Sequence, residues 1–358
     1  MLSDAAYMER ALLLAGRARG LTTPNPLVGA VVVTSGGVVA GTGYHERAGE
    51  PHAEVHALRE AGSAARGATL YCTLEPCNHT GRTPPCVDRI LESGVARVVA
   101  AVEDPNPRVA GRGLLRLRQA GLTVDVGEGE VAARRLNRPF FSAMRRGRPY
   151  VIVKAVTSLD GRVAAVPGAP TRLSSPATDR RTHALRAEVD AIAVGSGTML
   201  ADDPLLTARG VYRRRPLARV IFDRRLRTPA SARVFSTLDS GPVIILTAPA
   251  APAAAARALE AAGATVVPVT GGVSDALRLL VPMGIQSVLA EGGPALQTAL
   301  WREGAADAVR LVVAPRSLGP AGVPWVERTV APWASWRLVA VEPCGADVMI
   351  EADVHWTD

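Results

Sequence analysis

A chain of 358 residues is longer than one hydrophobic core usually organises, which predicts two domains of ordinary size. Apolar residues make up 48%, enough for two cores, but no run of about 18 uncharged apolar residues occurs, so neither a membrane span nor a signal peptide is expected. The formal charge of +8 is spread along the chain and aromatics reach only 4%, so small anionic molecules are the expected partners and nucleic acid is not; four cysteines are too few for a disulfide scaffold and point to the cytoplasm.

Residues 3–20 have helical apolar spacing, and "LVGAVVVTSGGVVAGTGYH" reads as two strands around a glycine-rich turn. A helix is predicted from Pro51, in the first-turn position that proline favours, to about Gly62. Beyond it, "ATLYCTLEPC" is a strand ending at a loop, "CVDRILESGV" a helix, "ARVVAAVEDPNP" a strand, "GRGLLRLRQAG" a helix and "LTVDVG" a strand. That order predicts a three-layer α/β sandwich. In "MRRGRPYVIVKAV" arginine-rich polar residues precede a strand and mark a seam near residues 145–149, which puts the domains at 1–146 and 147–358. A second alternation follows through "VDAIAVG", "LARVIFD", "GPVIILTA", "ATVVPV" and "SVLAEGG", and "TAPAAPAAAARALEAAG" within it reads as helix and not linker.

Four of the six histidines (His45, His52, His56, His79) and three of the four cysteines (Cys72, Cys77, Cys86) fall within residues 45–86. In "GEPHAEVHAL", His52 and His56 are one helical turn apart, but Glu54 is turned away from their common face, unlike the glutamate of the metalloprotease H-E-x-x-H. H-x-E followed by P-C and a later cysteine fits the zinc deaminase signature better. His52, Cys77 and Cys86 then supply three ligands, and the fourth corner is left for water, whose pKa falls to roughly 7 on the metal. Glu54, outside the coordination shell, can carry that water's proton to a ring nitrogen and on to departing ammonia. His56, Cys72 and Cys344 read as packing residues. In "PCNHTGRTPPC" eight residues separate the two cysteines, where the usual deaminase has two.

"TPNPLVGAVVV", "GYHERAGEPHAEVHAL" and "EPCNHTGRTPPC" together closely resemble the deaminase half of the bifunctional riboflavin biosynthesis family, in which a pyrimidine deaminase is fused to a reductase and the extended loop is typical. The resemblance implies a cytidine-deaminase-like sandwich with one Zn2+ per deaminase site. It also implies that Asn25, His45, His79, Arg82, Asp104 and Asn106 line the substrate pocket, with Arg82 similar to a phosphate clamp. Two of the four asparagines, Asn25 and Asn106, sit in P-N-P triplets, whose stiffness suits an amide that must hold a ring edge.

Arginine occurs 40 times and lysine once, at Lys154. A bias that has replaced lysine elsewhere spares it where a compact ammonium fits and a planar guanidinium does not, so Lys154 is a candidate site residue. "AVGSGTMLADDPLLTAR" holds only a lone G-x-G; without G-x-G-x-x-G, a Rossmann site is not supported. "SVLAEGGPALQTAL" reads as strand, acid, paired glycines and a helix whose amino end could receive a phosphate.

"KAVTSLDGRVA", "LRAEVDAIAVG", "TMLADDPLLTAR", "RVIFDRRLRTP" and "LAEGGPAL" resemble the reductase half of the same family, a dihydrofolate-reductase-like α/β domain that uses NADPH. The resemblance thus spans nearly the whole chain and is least specific beyond about residue 320. It implies Lys154 and Glu291 near the reacting sugar, and Pro170, Arg186, Leu206, Arg209 and Glu291 on the substrate. Val156, Thr198, Asp202, Gly293, Pro294, Ala295, Leu296, Gln297, Thr298 and Ala299 would meet the cofactor. In one departure, "RLS" stands where the family commonly has tryptophan, isoleucine and threonine. Arg172 therefore replaces an aromatic expected against the cofactor, where it could pair with a phosphate or stack on a ring.

The implied chemistry is hydrolysis of the 2-amino group of 2,5-diamino-6-ribosylamino-4(3H)-pyrimidinone 5′-phosphate, then NADPH-dependent reduction of the ribosyl to a ribityl group, giving 5-amino-6-(5-phosphoribitylamino)uracil. The resemblance implies a homo-oligomer, dimer or tetramer. A rival reading is a zinc deaminase acting on RNA or free nucleosides with a non-catalytic second domain, against which the scarce aromatics and the "AEGG" turn argue.

Overall fold

The computed structural model describes residues 2–79, 84–327, 329–330 and 336–354. It divides into two compact units, Met1–Gly147 and Arg148–Asp358.

The first unit runs α1 (Asp4–Gly16), β1 (Gly29–Val33), β2 (Val39–Tyr44), α2 (Ala53–Ala61), β3 (Thr69–Cys72) and α3 (Cys86–Ser93). It continues with β4 (Arg97–Ala100), α4 (Arg112–Gln119), β5 (Thr123–Val126), α5 (Glu130–Leu136) and α6 (Arg138–Arg146). One mixed sheet has the order β2-β1-β3-β4-β5, with β1 antiparallel to both neighbours and the remaining pairs parallel. Every residue of β1 is buried, because helices cover both its faces. Directly opposed residues of an antiparallel pair share a face, and along β1 the face alternates. Gly29 pairs with Tyr44 and Ala30 with Gly43, so Gly29 and Gly43 point to opposite sides. A Cβ on Gly29 would lie 2.0 Å from the Ala11 carbonyl oxygen of α1, and one on Gly43 would lie 2.3 Å from that of Ala53 in α2. Helix, sheet and helix therefore stack as the three layers expected from element order. Gly41 makes the same allowance, with Ala57 O at 2.1 Å from its missing Cβ. This pair of glycines lets α2 lie against β2, which decides where the amino end of α2 reaches.

Two boundaries differ from the sequence expectation. The helix expected over 3–20 starts from an Ser3 cap and stops at Gly16. Pro51 does not occupy the first turn of α2: His52 is extended (φ −75°, ψ 166°) and serves as the cap, which leaves Pro51 outside the helix. Helices α5 and α6 were not expected from the sequence, and only the last residues of α6 fall in the arginine-rich seam. They bury Ala133, Phe140 and Phe141 and are tied back by Asn137, whose side chain accepts from Leu27 N–H at 2.7 Å and donates to Leu27 O at 2.9 Å.

The second unit opens with β6 (Tyr150–Ser158), β7 (Arg162–Ala164), α7 (Pro176–Glu188), β8 (Ala191–Gly195), α8 (Ser196–Asp202) and β9 (Ala218–Phe222). Next come β10 (Val243–Thr247), α9 (Ala253–Ala261), β11 (Ala264–Pro268), α10 (Val273–Arg278), β12 (Ser287–Ala290) and α11 (Pro294–Arg302). It closes with β13 (Ala308–Ala314), β14 (Val323–Pro324), β15 (Arg337–Cys344) and β16 (Asp347–Asp353). Its main sheet has the order β11-β10-β9-β8-β12-β6-β13-β16-β15; every pair from β11 to β13 is parallel, and β16 and β15 add an antiparallel edge. Ala191 and Ala193 of β8 enter one apolar cluster while Ile192 and Val194 enter another. Burial on both faces explains why these strands are unbroken apolar runs. Asp307 accepts both Arg148 guanidinium nitrogens at 2.6 and 2.8 Å and the Val151 N–H at 2.8 Å, which locks the start of β13 to that of β6. No helix among the described residues is long and apolar enough to cross a membrane.

Gly43→Ala tests the helix–sheet approach. Its Cβ would fall on a backbone oxygen that cannot rotate away, and overpacking of this kind costs about 1–3 kcal/mol. Calorimetry should show a lowered melting transition for the first unit; an unchanged transition would mean that α2 can withdraw freely.

Candidate active sites

The cap of α2, the loop after β3 and the first residue of α3 meet at one point. His52 Nδ1 lies 3.1 Å from Cys86 Sγ and 3.5 Å from Cys77 Sγ. The donor atoms of the three residues all lie within 4.8 Å of one another. Cys86 N–H donates to Cys77 Sγ at 3.3 Å, so the two cysteines meet although eight residues separate them in sequence. The hydrogen bond from Cys86 pulls the Cys77 thiol down to about 4, and the same contact together with burial pushes Cys86 well up. Two thiolates this close do not both ionise without a cation between them. His52 is raised, chiefly by its hydrogen bond to Cys77.

Glu54 is 2% exposed, burial pushes its carboxyl up, and Oε2 has no hydrogen-bonding partner. Two sulfurs, one imidazole nitrogen and an adjacent buried carboxylate form a donor set that fits zinc with a position left open.

His45 stands edge-on to His52, ring centroids 5.2 Å apart. Its Nδ1 lies 3.2 Å from Pro51 O, which can only accept, so Nδ1 carries the proton and Nε2 accepts from the Asn25 amide at 3.0 Å. Burial lowers the His45 pKa and keeps this neutral form. Asp104, pushed up to about 6 by burial, accepts Asn106 N–H at 2.8 Å, and the Asn106 side chain accepts Arg108 N–H at 3.1 Å. His79 Nδ1 is buried without a partner. Arg82 lies outside the described residues. His56 is not in the three-donor cluster, Cys72 packs in the core of the first unit, and Cys344 packs beside Val312 and Met349.

In the second unit a cavity of about 990 Å³ opens over the sheet. Its wall includes Lys154 and Val156 from β6, Pro170 and Arg172 from the segment before α7, Thr198 and Asp202 from α8, and Glu291, Gly293, Pro294, Ala295, Leu296, Gln297 and Ala299 around the start of α11. A Cβ on Gly292 would meet Thr198 Oγ1 at 2.7 Å, and Gly293 holds φ 76°, so both glycines are required for the β12–α11 turn to pass this close to α8. The volume and an arginine-bearing wall suit a dinucleotide. Arg172, in place of the expected aromatic, is 77% exposed on its side chain and pairs with Asp179 at 3.3 Å.

Arg186 donates through Nε and Nη2 to the two oxygens of Glu291, each at 2.6 Å, and through Nη1 to Thr207 O at 2.8 Å. Burial alone would raise Glu291, but the guanidinium outweighs it and holds the carboxyl low. Lys154 is lowered by burial, with Glu291 opposing. Arg186, Leu206 and Arg209 lie off the cavity wall. Leu206 is buried at φ 51°, and Arg209 N–H donates to His183 Nδ1 at 3.0 Å. Thr298 also departs from the expected cofactor wall: it is buried, and its hydroxyl accepts Glu327 N–H at 3.2 Å. Its neighbour Gln297 faces inward instead, donating to Lys154 O at 2.8 Å and accepting from Trp325 Nε1.

Sequence reasoning missed His183, Arg224 and Arg225. The arginine doublet lines the cavity just past β9, at the carboxyl edge of a parallel sheet where ligands bind, a signal already present in "RVIFDRRLRTP". His183 precedes Arg186 by three residues on α7, a spacing that shares a helix face.

Two measurements test these sites. Elemental analysis should find about one zinc per chain and less than about a tenth of that in Cys86→Ser, since the two ligands that remain bind zinc far more weakly than three. Burial, then Arg186 and Arg209, lowers the His183 pKa below the ordinary 6.5. The unfolded chain therefore takes up this proton first as pH falls, so the stability of the second unit is full above 6.5 and declines below it. Melting between about pH 7 and about 5.5 should show that decline weakened in His183→Asn, whose amide oxygen can still accept but does not titrate.

The zinc-binding region of cytidine and deoxycytidylate deaminases matches residues 1–102, and the RibD C-terminal domain matches residues 149–350. The riboflavin biosynthesis protein RibD of Aquifex aeolicus (strain VF5) is 42% identical over 354 residues, 97% of each chain. That of Escherichia coli (strain K12) is 44% identical over 328 residues, 89% of each. Among solved structures, Acinetobacter baumannii RibD superposes with a TM-score of 0.88 at 35% identity, covering 98% of both chains. A diaminohydroxyphosphoribosylaminopyrimidine deaminase/5-amino-6-(5-phosphoribosylamino)uracil reductase from Thermotoga maritima does so with a TM-score of 0.84 at 33% identity, also over 98% of both. These matches do not favour a non-catalytic second domain. The chain belongs to the RibD family of riboflavin biosynthesis enzymes, in which a zinc-binding deaminase is joined to an NADPH-using reductase.

Proposed function

We propose that residues 1–146 hydrolyse the 2-amino group of 2,5-diamino-6-ribosylamino-4(3H)-pyrimidinone 5′-phosphate, and that residues 147–358 then reduce its ribosyl group to give 5-amino-6-(5-phosphoribitylamino)uracil. The observation that carries this reading is the convergence of His52, Cys77 and Cys86 beside the partnerless carboxylate oxygen of Glu54.

His52, Cys77 and Cys86 would hold zinc, which when bound supplies a Lewis acid that makes water acidic near neutral pH. Glu54 takes the proton of the attacking water on Oε2 and gives it to the ring nitrogen, then carries the second proton, from the newly added hydroxyl, to the departing amine. Its raised pKa suits a group that must hold a proton in mid-reaction. Asn25, oriented by His45, presents its amide to the ring edge, with His79, Asp104 and Asn106 around it and Arg82 on the phosphate.

In the second half, NADPH would lie against Val156, Arg172, Thr198, Asp202 and residues 293–299 and supply a hydride to carbon 1 of the opened ribose. Lys154 and Glu291 flank the sugar, while Pro170, Arg186, Leu206 and Arg209 orient the rest of the substrate. Thr298 acts from behind, through the α11 backbone.

We place the protein in the cytoplasm as a homodimer or homotetramer whose partners are phosphorylated pyrimidines, with neither nucleic acid nor membrane among them; its four cysteines, all free, suit a reducing compartment. Glu54→Gln should keep its zinc yet lose ammonia release by about 10²–10⁴-fold. Loss of NADPH absorbance with the deaminated substrate should be unchanged in that variant. Full ammonia release by Glu54→Gln, or no NADPH consumption by wild type, contradicts the respective half of the reading.

A further inference from the structure

Glu75 is 3% exposed, carries a carboxylate, and has no part in the chemistry above. Each of its oxygens accepts two backbone N–H groups. Oε2 takes those of Asp104 at 3.1 Å and Gly111 at 2.8 Å; Oε1 takes those of Gly113 at 2.9 Å and Leu114 at 3.4 Å. No cation pairs with it among the described residues.

These four donors all belong to the segment that carries Asp104 and Asn106. Helix α4 begins there with Gly111 as its cap, at φ 80° and with no side chain to offer. The first N–H groups of a helix need an acceptor, and Glu75 supplies it from 38 residues away, with the helix dipole favouring its negative charge. A Cβ on Gly113 would meet Pro76 O at 2.1 Å, so the start of α4 rests directly on the peptide leading into Cys77. Glu75 N–H in turn donates to Val102 O at 2.9 Å, which fastens the end of β3 to the strand beside it.

From this geometry we infer that Glu75 is a positioning residue for deamination: its carboxylate sets the 104–114 segment at a fixed height over the metal-ligand loop, so that Asp104 and Asn106 meet the pyrimidine. The inference rests on the pocket role given to those two residues. A carboxylate is needed because four N–H groups converge on it. The amide of a glutamine would turn an NH2 toward two of them and keep only the other two.

The test is made on the full-length chain, whose reductase half reports independently on folding. Glu75→Gln should retain about one zinc per chain and full NADPH consumption with the deaminated substrate, while KM for deamination rises about tenfold or more and kcat stays within about twofold. Amide exchange across residues 104–114 should quicken, and that around Cys77 should not. Gly113→Ala, which disturbs the same joint from the other side, should raise KM in the same way and keeps the test open if Glu75→Gln fails to fold. Unchanged KM in both variants overturns the inference, as does zinc loss with a fall in kcat, which would make Glu75 a support of the metal loop alone. Wild type that releases no ammonia from the pyrimidine would instead overturn the function proposed above.

Discussion

An imidazole nitrogen and two sulfurs that could hold a metal ion lie within 4.8 Å of one another, the sulfurs repel once both are thiolates, and the first unit is shaped by the need to hold all three there. No single element could do so. His52 is delivered by α2, which reaches it only because Gly41 and Gly43 let the helix lie on the sheet. Cys86 is delivered by the first turn of α3, and Cys77 by a loop whose start is braced against α4. Each of the three supports is buried, so the repulsion is opposed by packing that would have to be undone for the donors to separate.

The second unit solves a different problem. Its cavity lies along the edge of a parallel sheet and needs room more than charge, and the room comes from paired glycines and from Thr198 standing where their side chains would be. The charges nearby are already matched: Arg186 and Glu291 satisfy each other, so Glu291 is ionised and fixed in direction before any ligand arrives. Lys154, lowered by burial, is the more adjustable of the groups around that pair.

What could be read from the chain was what depends on spacing or composition. His52, Glu54, Cys77 and Cys86 stand in local patterns whose chemistry is specific, and Lys154 stands out because nothing else in the sequence is a lysine. The alternating strands announced both sheets, since burial on two faces leaves continuous apolar runs. Residues set by contacts distant in sequence were not legible. Glu75 was in plain view within "EPC", but its donors begin 29 residues later, and no periodicity connects them. Thr298 and Gln297 differ by one position on a helix, and only the packing of Trp325 and Glu327 decides which of them faces the cavity. Pro51 lost its predicted place because His52 adopted an extended backbone at the helix start, a local choice that tertiary structure overrode. Helices α5 and α6 lay hidden behind the arginines that cover their outer faces.

The single lysine has a practical side. With arginine carrying every other basic side-chain charge, reagents that acylate or reductively alkylate amines find no competing surface ammonium along the chain. A partly buried amine with a depressed pKa is also a better nucleophile at neutral pH than an exposed one. Covalent probes of modest selectivity thus become selective by default, and a fluorophore or affinity tag attached through amine chemistry would report from the floor of the reductase cleft.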